Sequence, residues 1–379
     1  MLSFEQGPIR PPSEAQSLLI RFTRNCNWNQ CLFCPVYKGR PFSRRPVDEV
    51  KRDIDAIAGI IEEVKAASWK MGYSGLINGN VAQDFFRRDL PQSALSVVAW
   101  LYCGTGAVFI QDANNLILQT EQLVELLLHL KEKIPGITRI TSYARSQTAA
   151  RKTAAELTEI KKAGLDRIHI GMESGSDQIL KFMKKGVTGA AHVAAGQKIK
   201  AAGMELSEYW MPGLGGRALW RENALESARV LSAINPDFIR LRTLRVPEQI
   251  PLFEKVQSGE FELQGDDDNV SEIRLFLENL VGVTSYVASD HMMNLLQDVE
   301  GRLPRDKDFM LAALDRYLDL APEQRLRYRL GRRMGLFHGA ADMARLDLMG
   351  KVEEAYRDLE ARYPGRMEQV LAELANRTI

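Results

Sequence analysis

The stretch LLIRFTRNCNWNQCLFCP, residues 18–35, joins a short apolar run to three closely spaced cysteines. The run at residues 18–23 has the length and composition of a β-strand. Cys26, Cys31 and Cys34 follow it directly with the spacing C-x4-C-x2-C. We therefore expect the cysteines in a loop at the carboxyl end of a strand, which is where α/β proteins bind their ligands.

Three thiols this close together indicate a metal centre. A [4Fe–4S] cluster normally takes four thiolates, so three cysteines leave one iron without a protein ligand. That iron would be open to the amino and carboxylate groups of a small molecule, as the open position of a catalytic zinc site is. Zinc is the alternative, although the histidine nearest to the loop is His129. Three ordinary cysteines without a metal are the remaining interpretation.

The sequence beyond the cysteines alternates between short β-rich runs and helical patterns, which predicts an α/β fold with a parallel sheet. Helical patterns fill residues 47–67, 91–102, 120–133, 148–163, 176–185, 190–202 and 219–233, and residues 70–88 are not assigned. Further strands are predicted at residues 107–111, 139–143, 167–172, 204–210 and 238–243. After residue 250 the pattern is mainly helical. We predict an N-terminal arm at 1–17, a β/α domain at 18–250 and a helical extension at 251–379.

Composition excludes several classes of protein. The chain has 50 Lys and Arg against 49 Asp and Glu, so its net charge of +1 gives no sign of a nucleic-acid or membrane partner. The N-terminus lacks the apolar segment of a signal peptide, and no run approaches the roughly 18 apolar residues of a spanning helix. Clustered thiols in a chain with four cysteines suit a reducing compartment, and we expect the cytoplasm.

The cysteine motif, with Phe33 just before its last cysteine, resembles that of the radical S-adenosylmethionine (SAM) superfamily over about residues 8–250. The usual spacing is C-x3-C-x2-C. The longer first spacing is similar to that of a subset resembling oxygen-independent coproporphyrinogen oxidases and elongator-type proteins. The resemblance implies a partial (β/α)6 TIM-type barrel and an enzyme in which catalytic Cys26, Cys31 and Cys34 bind a [4Fe–4S] cluster. SAM would be cleaved to methionine and a 5′-deoxyadenosyl radical, which abstracts hydrogen from an unidentified substrate.

The resemblance also implies SAM contacts at successive strand ends. Asp112 would supply a carboxylate to the methionyl amino group, although the glycines usual there are absent. Arg145 would bind the SAM carboxylate in a bidentate manner, and Glu173 would accept a hydrogen bond from the ribose or the methionyl amine. The full predicted set of SAM-binding residues is Phe33, Gln111, Asp112, Ser142, Arg145, Glu173, Ser174, Met211, Gly213 and Arg242.

Simpler interpretations of single residues stay open from the sequence. Glu173 would otherwise cap the following helix, and Arg145 would be a surface ion-pair residue. Cys103 is expected to be a small buried residue rather than a fourth ligand, and His291 a helix-start residue or a proton relay. The basic residues near the cysteine loop either surround the entrance for an anionic substrate or form a solvated charged face. They are Arg10, Lys38, Arg40, Arg44 and Arg45.

The expected partners are a small-molecule substrate and a reductase such as flavodoxin or ferredoxin. No membrane contact is expected, and nucleic acid is not excluded. Because an accessible cluster is sensitive to oxygen, we expect anaerobic use. Two other classes of protein fit part of the pattern: an iron–sulfur electron carrier or redox sensor that does not use SAM, and a zinc-stabilised barrel that binds nucleic acid.

Overall fold

The computed structural model describes residues 1–377, which form two compact units. The first unit comprises residues 1–29, 36–170 and 194–206, and the second comprises 30–35, 171–193 and the chain from 207 onward. The segment that carries Cys31 and Cys34 thus belongs to the second unit, whereas Cys26 belongs to the first. The domain boundaries predicted at residues 17 and 250 stay predictions.

Strands and helices alternate through most of the chain. The elements up to residue 201 are β1 (Leu18–Arg21), β2 (Thr23–Arg24), β3 (Ser43–Arg44), α1 (Val47–Lys70), α2 (Gly79–Phe86), α3 (Gln92–Cys103), β4 (Ala107–Gln111), α4 (Thr120–Lys133), β5 (Arg139–Ala144), α5 (Ser146–Arg151), α6 (Ala154–Ala163), β6 (Leu165–Glu173), α7 (Asp177–Phe182) and α8 (Gly189–Ala201). They are followed by β7 (Glu205–Trp210), α9 (Gly216–Ile234), β8 (Phe238–Leu241), α10 (Pro251–Gln257), α11 (Asp266–Glu278), β9 (Tyr286–Ala288), β10 (Gly301–Arg302), α12 (Lys307–Leu318), α13 (Pro322–Arg333), α14 (Leu346–Arg362) and α15 (Met367–Arg377).

The main sheet is mostly parallel, and its strands follow one another in the order β1-β4-β5-β6-β7-β8-β9-β10. In the first unit, β1 pairs in parallel with β4, β4 with β5, and β5 with β6. In the second unit, β7 pairs in parallel with β8 and β8 with β9, whereas β10 is antiparallel to β9. All six predicted strands are present, and the predicted α/β class is confirmed.

Burial explains why the central strands read as continuous apolar runs. All five residues of β4 are buried, as expected for a parallel strand with both faces covered. The helix α1 buries residues spaced three or four apart, including Val50, Ile54, Ile57 and Ile61, which is the apolar stripe of an amphipathic helix. Within residues 1–377, none of the helices combines the length and the apolar character needed to cross a membrane.

Four local features differ from the predictions. The unassigned stretch contains α2, whose first turn is capped by the Asn78 side chain. The helix predicted at 148–163 is two helices, because Thr153 and Glu156 form a capping box that starts α6. The C-terminal region is mainly helical, as predicted, but it contributes the short strands β9 and β10. Cys103 is exposed rather than buried.

Candidate functional site

The cysteine loop connects two short antiparallel strands, β2 and β3, of the first unit. Thr23 pairs with Arg44, so residues 25–42 leave from β2 and return to β3. Cys26 is a free, partly exposed thiol, and its Sγ accepts the Asn29 N–H at 3.4 Å.

The segment between the other two cysteines is anchored in the second unit by its apolar residues. The Leu32 N–H donates to the Met183 carbonyl at 3.0 Å, and the Leu32 carbonyl accepts the Leu252 N–H at 3.1 Å. Leu32 and Phe33 are buried, whereas Cys31 and Cys34 are of intermediate exposure and are not in disulfide bonds. The anchoring therefore leaves two thiols available beside a buried aromatic ring.

The donor set fits an iron–sulfur cluster. All three cysteines of the motif are partly exposed and outside disulfide bonds, so the chain offers three thiols to a cluster and leaves its fourth position open. Within residues 1–377, no three His, Cys, Asp or Glu side chains are arranged to hold a single metal ion. In a four-iron cluster each thiolate binds a different iron, so the thiols need not meet at one point.

Asn114 and Asn115 organise the strand ends of the first unit. The buried Asn114 amide donates to Asn27 at 3.0 Å and to Thr148 at 2.8 Å, and its oxygen accepts the Arg145 N–H at 3.1 Å. Asn114 thus ties the loop of Cys26 to the end of β5. The sequence offered a signal for this role, since paired asparagines directly follow the fully buried strand β4.

Two predicted SAM ligands in this unit make structural contacts. The Gln111 side chain accepts the Gly7 N–H at 2.8 Å and donates to the carbonyls of Gly7 and Ile9, which holds the N-terminal arm. Asp112 is buried in a left-handed conformation with φ 71° and is ion-paired with Arg21. Burial raises the pKa of the Asp112 carboxyl, and the Arg21 guanidinium opposes that shift.

Ser142 and Arg145 lie at the end of β5. The Ser142 hydroxyl is buried, accepts the Asn115 amide at 3.0 Å and donates to the Tyr143 carbonyl at 3.0 Å. The Arg145 guanidinium lies over the Trp28 ring, 4.9 Å from its centre. Stacking on the indole ring orients this half-exposed guanidinium.

Glu173, Lys185 and Phe33 lie together in the second unit. Glu173 has φ 67°, a strained conformation for a non-glycine residue, and its carboxylate pairs with the Lys185 ammonium at 3.0 Å. The ammonium is 5.5 Å from the centre of the Phe33 ring. The Ser176 hydroxyl caps α7, so the capping role considered for Glu173 is wrong. Ser174 is buried, and its hydroxyl accepts the Ser176 N–H at 3.1 Å.

Glu208 is a buried acid that the sequence analysis missed. Its side chain is fully buried in β7, and neither carboxyl oxygen has a hydrogen-bond partner within residues 1–377. Burial raises the pKa of Glu208 well above its usual value; the nearby Glu173 raises it further, whereas Lys185 lowers it. Burial therefore favours the neutral form of this acid, and its hydrogen-bonding capacity is unused within the described residues. The only signal in the sequence is a glutamate inside a predicted strand.

Met211 and Arg242 lie near the aromatic ring of the cysteine motif. Met211 belongs to the apolar cluster around Phe33. Arg242 has an exposed side chain and lines a small pocket with Phe33 and Met211. Gly213 lies in the turn after β7; it has φ 89°, and a Cβ there would lie 2.9 Å from the Asn269 oxygen, so the turn requires glycine. The structure thus brings Phe33, Met211 and Arg242 together within the second unit.

The basic residues near the cysteine loop do not form one surface. Arg45 is buried, with ion pairs to Glu49 at 2.8 Å and to Asp53 at 2.7 Å. It therefore neither forms a substrate mouth nor faces solvent. Arg10, Arg40 and Arg44 are exposed, and Lys38 is half-exposed.

Comparison with known proteins gives partial matches. No family model matches the chain. It is 25% identical over 119 residues to the tRNA uridine(34) acetyltransferase of Methanocaldococcus infernus and 24% identical over 119 residues to that of Methanocaldococcus jannaschii. Each match covers 31% of this chain and 22% of the relative.

Similar solved structures include M. infernus Elp3 at 19% identity and TM-score 0.40, covering 49% of this chain and 48% of that one. Methylornithine synthase PylB has 15% identity and TM-score 0.43, with coverage of 73% and 67%. HemN, the radical SAM coproporphyrinogen III oxidase of Escherichia coli, has 13% identity and TM-score 0.44, with coverage of 69% and 52%. The chain resembles radical SAM proteins. The resemblance predicted from the cysteine motif is confirmed at that level.

Proposed function

We propose that this chain is a radical SAM enzyme, in which Cys26, Cys31 and Cys34 hold a [4Fe–4S] cluster that binds SAM at its open iron. When bound, the cluster supplies one electron that cleaves SAM to methionine and a 5′-deoxyadenosyl radical. The observation that carries the proposal is the C-x4-C-x2-C loop: it follows the first strand of a parallel sheet, and its three cysteines are partly exposed and outside disulfide bonds.

The second unit offers a fitting environment for the nucleoside part of SAM. Phe33 supplies a ring face for the adenine, and Gly213 allows a close approach of the backbone. Glu173 carries a carboxylate that accepts hydrogen bonds, and the neutral Glu208 acid both donates and accepts. Such a pair suits neighbouring hydroxyl groups, which SAM carries on its ribose. Binding would give Glu208 the partners it lacks.

In the first unit, Arg145 is the side chain best suited to the SAM carboxylate. Its guanidinium is oriented by Trp28, and its backbone is fixed by Asn114. Asp112 is held by Arg21 behind the same strand ends, so we assign it mainly to positioning. Asn114 forms hydrogen bonds with both the cysteine loop and the backbone of Arg145. These hydrogen bonds would fix the position of the cluster relative to the residue that binds the carboxylate.

The remaining parts of the proposal follow from this chemistry. A one-electron donor such as flavodoxin or ferredoxin would reduce the cluster, and a small molecule would lose the hydrogen atom. Free clustered thiols require a reducing compartment, so we propose the cytoplasm and use under anaerobic conditions.

The test is anaerobic reconstitution with iron and sulfide, reduction with dithionite, and mass-spectrometric detection of 5′-deoxyadenosine formed from added SAM. We expect about four irons per chain and deoxyadenosine formation. Cys31→Ala should abolish deoxyadenosine formation. Cys103→Ser is the matched control, because Cys103 is an exposed thiol outside the motif; it should keep both iron content and activity.

The alternative outcomes separate the other classes of protein. Iron and sulfide without SAM binding would contradict the proposal and favour an electron carrier or redox sensor. Zinc without sulfide after anaerobic purification would favour a zinc-stabilised fold instead. A loss of activity in Cys103→Ser equal to that in Cys31→Ala would show that the motif has been misassigned.

A further inference from the structure

One carboxylate near the N-terminus lies among three arginines at the ends of the cysteine loop. The Glu5 carboxylate pairs with Arg21 at 2.9 Å, accepts the Arg24 Nε–H at 2.8 Å and lies 3.5 Å from the Arg45 guanidinium. Arg21 ends β1, Arg24 ends β2, from which the loop leaves, and Arg45 directly follows β3, to which the loop returns. A single side chain therefore contacts the chain on both sides of the cysteine loop.

Arg21 connects this carboxylate to the residue next to Cys26. The Arg21 Nη1 donates to Glu5 at 2.9 Å, and its Nη2 donates to the Asn25 side-chain oxygen at 3.2 Å. The Asn25 amide donates in turn to the Pro41 carbonyl at 2.6 Å, on the returning part of the loop. Asn25 has φ 66°, a left-handed conformation that turns the chain directly before Cys26. The position of Cys26 therefore depends on Glu5 through two hydrogen bonds.

The segment around Glu5 is itself held against the first unit. The Glu5 N–H donates to the Asp53 carboxylate at 3.2 Å. The Gln6 side-chain amide donates to the Ser96 hydroxyl at 2.9 Å and to the Leu19 carbonyl at 3.3 Å. A terminal segment that is tied down in this way gives its side chains defined positions, which a frayed one would not. The Glu5 carboxylate is therefore a fixed point for the loop.

Each of the three arginines also has a second carboxylate partner. Glu49 pairs with Arg24 and, at 2.8 Å, with Arg45. Asp112 pairs with Arg21. Removal of a partner is most costly where it leaves a buried charge uncompensated, and here no arginine would be left without a carboxylate. We therefore expect the first unit to stay folded when the charge of residue 5 is removed.

We infer that Glu5 is a positioning residue for the iron–sulfur cluster: it fixes both ends of the loop, so that Cys26 is held in place before the cluster assembles. The inference rests on the proposed function, which assigns Cys26 to the cluster. Glu5 acts through Arg21 and Arg24, which already engage its carboxylate, and not as a ligand of iron. Ligands that are oriented in advance lower the entropic cost of binding and hold the bound group in one geometry.

The first test is hydrogen–deuterium exchange with mass spectrometry on the full chain without a cluster. In Glu5→Gln we expect peptides covering residues 22–29 and 40–46 to exchange about tenfold faster, because charge-assisted hydrogen bonds at both loop ends are lost. Glu5→Asp keeps the carboxylate and should restore part of the protection. Glu125→Gln is the matched control, since Glu125 is an acid of the same unit that pairs with Lys51 outside the cysteine loop; it should exchange like the parent chain.

The second test uses the reconstituted, reduced proteins. In Glu5→Gln we expect the electron paramagnetic resonance spectrum of the reduced cluster to change, and 5′-deoxyadenosine formation to fall about tenfold for the loss of one charge-assisted hydrogen bond. Glu5→Asp should recover part of both. The urea midpoint of Glu5→Gln should stay near that of the parent chain. A purely structural role would lower that midpoint and would leave the spectrum of the bound cluster unchanged.

The outcomes distinguish this inference from the proposed function. Faster exchange confined to the loop ends of Glu5→Gln, in a parent chain that does not cleave SAM, would support the role of Glu5 in holding Cys26 and refute the proposed function. SAM cleavage by the parent, with unchanged exchange and an unchanged spectrum in Glu5→Gln, would refute the role of Glu5 alone. Faster exchange throughout the first unit, or equal changes in Glu125→Gln, would show a general effect on stability and would also overturn the inference.

Discussion

Glu272 and Glu208 are both fully buried carboxyl groups of the second unit, but their surroundings differ. Glu272 accepts the Gly213 N–H at 2.7 Å, the Asn223 amide at 2.7 Å and the Gln264 amide at 2.9 Å. Glu208 has no hydrogen-bond partner within residues 1–377. Burial raises the pKa of both groups, that of Glu272 to about 7 in spite of its three donors.

This difference in hydrogen-bond partners distinguishes an acid with a structural role from an acid that a bound ligand would supply with partners. Native proteins pair almost all of their buried polar groups, so a group left without a partner needs an explanation. The burial of Glu272 is explained by its structural role, because its hydrogen bonds hold the turn of Gly213 against α9 and α11. The burial of Glu208 is explained only if a molecule with hydroxyl groups binds beside Glu173. Burial of an acid alone does not indicate a ligand site. The absence of hydrogen-bond donors around a buried acid does.

The largest expected effect is that of Glu272→Ala. It would leave the buried Gly213 N–H and one N–H of the buried Asn223 amide unpaired, each at a cost of about 1–3 kcal/mol, so we expect a loss of about 2–6 kcal/mol in the free energy of unfolding. Urea denaturation at pH 6 followed by circular dichroism measures it. The matched variant Glu208→Gln should not lower the stability, because no donor loses its partner. Equal losses at the two positions would erase the distinction between the two acids.

The pH dependence of stability should differ between the parent chain and Glu208→Gln. The folded pKa of Glu208 is raised, so its contribution to stability is complete below the unfolded pKa, about 4.3, and is lost as pH rises toward the folded pKa. The glutamine variant does not titrate at this position. Its stability relative to the parent should therefore increase between pH 5 and pH 8, by up to about 1.4 kcal/mol per pH unit.

Urea denaturation of both proteins at pH 5, 6, 7 and 8 gives this difference. The titration of Glu272 is common to both proteins and cancels in the comparison. Parallel stability curves would mean that Glu208 is ionised in the folded chain, and would remove the argument for an empty hydrogen-bonding site. Adding SAM to the reconstituted parent should reduce the difference if SAM supplies the missing partners.

The fold was predictable from the sequence because its strands are buried on both faces. The run at residues 107–110 is apolar throughout and differs from the 3.6-residue pattern of the helices. The helix at Gly79–Phe86 was not predicted, because its capping residue, Asn78, lies in a Gly- and Asn-rich stretch that is typical of a loop. Strands of two or three residues, such as β9 and β10, are too short to show any periodicity.

The candidate site was predictable only where chemistry depends on spacing along the chain. The three cysteines and the strand-end residue Glu173 come from such patterns. Lys185 and Glu208 do not, because their significance lies in which groups surround them after folding. The prediction for Arg45 was wrong for the same reason. Its charge was expected to face a substrate or solvent, but the folded chain pairs it with Glu49 and Asp53.

The smallest expected effect concerns the coupling between Lys185 and Glu208. Lys185 forms its ion pair with Glu173, and both side chains are about one-eighth exposed, 13% and 12%. Lys185→Met should therefore cost about 1–2 kcal/mol in unfolding free energy, between the values for surface and buried pairs. If Glu208 is neutral at pH 6, it gains almost nothing from the ammonium. A double-mutant cycle with Glu208→Gln should then give a coupling energy below about 0.5 kcal/mol.

Lys185→Arg is the matched control for this cycle, because it keeps the positive charge beside Glu173 and should recover most of the lost stability. A coupling energy above about 1 kcal/mol would indicate that the ammonium stabilises a charged Glu208. In that case the two carboxylates would share one cation, and a ligand with hydroxyl groups would no longer be needed to explain the site. A small coupling leaves Glu208 as the acid whose partners are still missing, in contrast to Glu272.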